Sequence, residues 1–145
     1  MAVVEKSTDD LFKMIESNPE DFIGKVDSEK LMNYESIFNA YFDQLMKEKS
    51  LTIGQLVVRT TLSQSYLYQI ASGTRRLGRD NAIVLAFAMK LNLEQTQRLL
   101  RYSNNAILYP KVRRDAVIIC CINCKMTCEQ ADDILLEHCE KGLIS

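Results

Sequence analysis

Apolar residues recur at helical spacing along almost the whole chain, and residues that interrupt helices are scarce: 145 positions hold five Gly and two Pro. No stretch alternates apolar and polar residues as a half-buried strand does, so the pattern predicts an all-α protein. An apolar fraction of 47% beside 26% charged residues is the balance of a chain that buries a core. The length suits one domain with appended helices.

Capping signals divide the pattern into elements. Ser7 or Thr8 can cap a short helix over residues 9 to 17, with Asp9 and Asp10 in the first turn where the helix dipole favours anions. Asn18-Pro19 ends it, and a turn over residues 19 to 23 leads into a longer helix over 31 to 49. There Ile37, Tyr41 and Leu45, with Phe38 and Phe42, build one wide apolar face. Thr52-Ile53-Gly54-Gln55 is a capping box that starts a helix running to about Arg59. Ser63 caps the next, whose Leu67 and Ile70 point inward and which Gly73 stops in a left-handed conformation. Helices over 80 to 90 and 93 to 102 follow, the first burying Ile83, Leu85, Ala86 and Met89, the second capped by Asn92. A last pair spans 111 to 124 and 128 to 140, with a capping box at Thr127 to Gln130 and a stop at Gly142.

The net charge of −1 hides a sharp segregation. Residues 1 to 50 carry 6 basic and 11 acidic side chains, residues 51 to 114 carry 10 and 2, and residues 115 to 145 carry 2 and 6. A basic centre between acidic ends points to a polyanion or an acidic partner for the middle segment.

The last two helical pairs also resemble each other. At an offset of 35, Arg79, Asp80, Ile83, Lys90, Glu94, Gln95 and Leu100 match Arg114, Asp115, Ile118, Lys125, Glu129, Gln130 and Leu135. Duplication and convergent patterning of helical hairpins both account for this, and either stacks a second hairpin on the first.

The segment LTIGQLVVRTTLSQSYLYQIASGTRRLGRDNAIVLAFAMKLNL, residues 51 to 93, resembles the Cro/repressor (XRE, lambda-repressor-like) helix-turn-helix family. The likeness rests on Leu51-Thr52 ahead of the first motif helix, Leu56-Val57 in its core and Ser63, Ser65-Tyr66-Leu67 and Gln69-Ile70 in the second. Gly73 and Arg75 follow, with Leu85-Ala86 and Ala88-Met89 in a buried fourth helix. It implies a five-helix domain over 31 to 103, flanked by an N-terminal helical extension over 1 to 30 and a C-terminal helical hairpin over 104 to 145.

It further implies a transcriptional regulator that reads double-stranded DNA in the major groove with the helix Ser63 to Ser72, binding as a homodimer. Gln64 and Ser65 are the base-reading candidates, with Tyr68 and Gln69 on the same polar side. Arg75, Arg76 and Arg79 in the following loop, and Arg59 at the end of the preceding helix, are candidates for phosphate contact. Two positions depart from the family. Ile53 stands where a Gln commonly braces the contact helix, and Thr61 stands where the turn usually has Gly, so this turn must bend differently or carry strain.

Cys120, Cys121, Cys124, Cys128, His138 and Cys139 crowd the last 26 residues, and Cys121-x-x-Cys124-x-x-x-Cys128 has a spacing found among metal ligands. Three of these cysteines lie in a continuous apolar helix, opposite Leu85, Ala86 and Met89 in the repeat, which favours apolar filler over a metal site. His138 reads as a surface cation near a helix end. No nucleophile motif, phosphate-cradling Gly loop or paired carboxylates flank a pocket, so neither an enzyme nor a cofactor is expected. Five cysteines without a secretory signal predict reduced thiols and a cytoplasmic setting. The acidic ends are candidates for a dimer contact, for a protein partner or for packing beneath the domain. A rival reading is an adaptor that keeps the fold but binds protein instead of DNA, since residues 63 to 72 contain no Lys or Arg.

Overall fold

A computed structural model describes residues 34 to 144. The extension over 1 to 30, with its helix over 9 to 17 and turn over 19 to 23, lies outside the described residues. Seven helices and no strand make up the described chain: α1 Tyr34–Glu48, α2 Ile53–Arg59, α3 Gln64–Ser72, α4 Arg79–Ala88, α5 Leu93–Tyr102, α6 Arg113–Asn123 and α7 Cys128–Glu137. The all-α expectation is borne out. Among the described residues no helix is long and apolar enough to cross a membrane.

One apolar cluster runs through all seven helices. Leu45, Leu56, Leu67, Ile70, Ile83, Leu85 and Leu100 are fully enclosed, and Ile118 and Leu135 join the last hairpin to the same core. The wide face of α1 lies against α5, where Tyr41 meets Tyr102 edge-on at 5.2 Å between ring centroids.

Three of the connections use one device. At each, a helix ends, one residue takes a left-handed conformation, an apolar residue follows, and a capping box opens the next helix. The left-handed residues are Ser50 (φ 52°), Lys90 (φ 56°) and Lys125 (φ 56°). The boxes are Thr52 with Gln55, Asn92 with Gln95 and Thr127 with Gln130. Each box satisfies two amides that a helix start would otherwise leave bare.

The 35-residue offset is a structural repeat. Arg79 donates from Nε to the Ala106 carbonyl at 2.9 Å and from Nη2 to that of Ile107 at 3.2 Å; Arg114 donates likewise to Lys141 at 2.9 Å and Gly142 at 3.2 Å. Asn104 and Cys139 both turn left-handed, at φ 61° and 59°. The Leu108 amide donates to Gln97 Oε1 and the Leu143 amide to Asp132 Oδ1, each at 2.7 Å.

The two copies also exchange charges. Arg79 pairs with Asp115 and Arg114 with Asp80. In a translational array Arg114 would look onward to a further copy; here it looks back. The hairpins are therefore related by an approximate two-fold rotation, with α4 against α7 and α5 against α6.

Three sequence expectations need correction. Helix α7 stops at Glu137 and Cys139, not Gly142, supplies the left-handed residue. Gly142 matters for space, because a Cβ there would strike Asp132 Oδ1. Cys120 and Cys124 are exposed, so of the last helical pair's cysteines only Cys121 and Cys128 fill the core. The counterparts of Cys120 and Cys124, Leu85 and Met89, are buried; α4 also packs against α2, and α6 has no equivalent neighbour among the described residues.

Candidate nucleic-acid interface

Helix α3 is two-sided. Leu67 and Ile70 are fully buried, while Gln64, Ser65, Tyr68 and Gln69 stand in solvent. The four polar residues follow a helical stripe, and among the described residues their side chains make no internal hydrogen bond. Ser63 caps the helix by accepting from the Tyr66 amide at 3.1 Å. The exposed edge begins in the very first turn.

The turn before α3 bends without a left-handed residue. Thr60 is extended (φ −129°, ψ 175°), and its hydroxyl donates to the Leu56 carbonyl at 2.7 Å while accepting from the Leu62 amide at 3.1 Å. A side chain thus does the work that a glycine at position 61 would do through φ, and Thr61 is not among the residues at positive φ. Ile53, where the family's Gln would stand, is partly buried against the core.

After α3, Gly73 takes φ 81° and the chain folds back, with the Thr74 and Arg75 amides donating to the Gln69 carbonyl at 3.0 and 3.3 Å. This return lays the Arg75 guanidinium over the Tyr66 ring, 4.8 Å from its centroid. Tyr66 is itself held by Asn81, whose Nδ2 donates to the phenolic oxygen at 3.0 Å. The sequence marked Arg75 as a candidate but not its platform. Arg76 is exposed and has no ion-pair partner among the described residues.

The other two candidate arginines do not join this surface. Arg79 uses four of its five N–H groups inside the fold, on Asp115 Oδ1 and Oδ2 at 3.1 and 2.8 Å and on two backbone carbonyls. It is the clasp between hairpins, and so is removed from the phosphate-contact set. Arg59 points from the end of α2 to the Ala88 carbonyl, 2.9 Å away, beside the turn between α4 and α5. The candidate surface is thus Gln64, Ser65, Tyr68, Gln69, Arg75 and Arg76.

The cysteines and His138 assemble no comparable site. Among the described residues no three His, Cys, Asp or Glu side chains gather as a metal would require. Burial, reinforced by the Glu129 and Asp132 carboxylates, pushes the Cys128 thiol up to about 12, and burial also raises Cys121. Both shifts favour the protonated thiol over the thiolate that a redox nucleophile needs.

Comparison of the chain with family models, with curated proteins and with solved structures finds no match in any of the three.

Proposed function

We propose that this protein is a sequence-specific, double-stranded-DNA-binding transcriptional regulator of the Cro/repressor type, acting in the cytoplasm without a cofactor and without catalysis. In this reading α2 crosses the backbone and α3 lies in the major groove. The observation that carries it is the exposed stripe Gln64, Ser65, Tyr68 and Gln69, backed by the buried Leu67 and Ile70 and flanked by Arg75 and Arg76. Gln64 and Ser65 would read base edges, because a Gln side chain pairs bidentately with adenine. Arg75 and Arg76 would hold phosphates and fix the register of α3 without reading sequence. A homodimer places two such helices on neighbouring half-sites.

Selection from a pool of random duplexes with the full-length protein tests this reading. A recovered motif of two half-sites about one helical turn apart is expected. Recovery of no motif, together with elution from heparin at the salt of an ordinary acidic protein, would transfer the fold to protein recognition instead.

A further inference from the structure

A groove with a volume of about 810 Å³ opens on another part of the molecule, where the end of α2 meets the turns between α4 and α5 and between α6 and α7. Its walls come from equivalent places in the two hairpins. Phe87 and Leu91 on one side answer Ile122 and Met126 on the other, each pair 35 positions apart. The rim is cationic: Lys90 and Lys125, again equivalent, and Arg59. Among the described residues none of the three has an ion-pair partner, and Glu129 is the one acidic residue in the described lining. Val58, at 86% exposure, stands at the edge with its side chain in water. None of the α3 stripe lines this groove. An apolar floor ringed by unpaired cations suits an acidic, amphipathic segment.

We infer that the occupant is this chain's own segment over residues 9 to 17. Residues 1 to 33 carry eight acidic and four basic side chains, opposite in sign to the groove's rim. Within Asp-Asp-Leu-Phe-Lys-Met-Ile-Glu-Ser, Leu11, Met14 and Ile15 fall at i, i+3 and i+4, with Phe12 beside them and Asp9, Asp10 and Glu16 between. The reach is sufficient. The groove lies at the C-terminal end of α1, where Lys49 Nζ donates to the Lys90 carbonyl at 3.5 Å, so the segment must run back along about 22 Å of helix from Tyr34. The 16 residues from 18 to 33 span up to about 50 Å when extended. The groove is then a docking site for the chain's own acidic arm, and it does not depend on the DNA reading of α3.

The test places a photo-crosslinking p-benzoylphenylalanine at Phe12 of the full-length protein, and in a second variant at Val58. Irradiation of the first is expected to yield an intramolecular crosslink to residues 86 to 92 or 122 to 129, and of the second a crosslink to residues 9 to 17. Reversing the rim with Lys90→Glu and Lys125→Glu should lower both yields about tenfold at low salt, and added salt should lower the wild-type yield. Crosslinks to any other part of the chain overturn the assignment. So do crosslinks that join only separate chains, or yields indifferent to the two reversals. No crosslink from either position, in variants that melt as the wild type does, overturns it as well.

Discussion

Arg79 closes on Asp115 with two charge-assisted hydrogen bonds, at 2.8 and 3.1 Å, while 35 positions along Arg114 closes on Asp80 at 3.0 Å. Each hairpin gives one cation and receives one from the other. Asp115 is 4% exposed, and besides Arg79 its side chain accepts from the Tyr109 amide at 3.0 Å.

Removing Arg79 leaves the buried Asp115 carboxylate with only the Tyr109 amide to meet it. Arg79→Ala should therefore destabilise the fold by about 3 kcal/mol, measured by urea denaturation. Asp80→Ala should cost less, since Asp80 and Arg114 are more open to solvent than Asp115. The Arg79→Ala, Asp115→Ala double variant should be less destabilised than the two single changes added together. Strict additivity would show that the clasp is not a unit.

Gly73 has a second constraint beyond its φ of 81°. A Cβ at this position would lie 2.6 Å from Asn39 Nδ2, on α1, so substitution strains the backbone and forces the Asn39 side chain to shift. Gly73→Ala is expected to cost about 2 kcal/mol, more than the left-handed conformation alone. A loss below about 1 kcal/mol would show that Asn39 moves aside freely.

Thiol chemistry should divide the cysteines three to two. Cys120, Cys124 and Cys139 are exposed and should react with an aromatic disulfide reagent in the native protein, whereas Cys121 and Cys128 should wait for unfolding. Alkaline pH follows from the same burial. The folded state holds the Cys128 proton up to about pH 12 against an ordinary value of 9.0, so it binds that proton more tightly than the unfolded chain does. The stabilisation is full below about pH 9 and declines as pH rises from there towards 12. Urea midpoints between pH 8 and 11 should fall, and Cys128→Ala should make that fall shallower.

Much of this arrangement was legible in the sequence because it is local. The capping boxes at Thr52 and Thr127, the stop at Gly73 and the inward Leu67 and Ile70 depend on neighbours within one or two turns, and the structure has each of them. The fate of the arginines was not legible. Arg75, Arg76 and Arg79 look alike in sequence, yet only Arg79 lies within reach of a carboxylate brought from 36 positions away. The clue was the repeat: Arg79-Asp80 and Arg114-Asp115 are two copies of an oppositely charged pair, and two such copies facing across a rotation exchange partners. The same alignment misled for Cys120 and Cys124, because equivalence in the hairpin does not carry over to the helices outside it. For the stripe on α3, sequence supplied residue types and the structure supplied their exposure.

The assignment of roles on α3 can be tested by separating base reading from phosphate holding. Gln64→Ala should cost about 1 to 3 kcal/mol at the selected site and flatten its preference at one or two base pairs, with little effect on random duplex DNA. Arg76→Ala should weaken specific and random duplexes alike and lower the slope of log affinity against log salt by about one. Arg75 should behave as Arg76 does, and Tyr66→Ala, which removes the ring beneath its guanidinium, should reproduce part of the Arg75→Ala loss. Arg79→Ala is the control that the geometry supplies. With its donors turned inward on Asp115, Ala106 and Ile107, it should lower stability while leaving the salt slope of the folded protein unchanged. An Arg79→Ala slope reduced as much as that of Arg76→Ala would mean that the clasp opens on DNA.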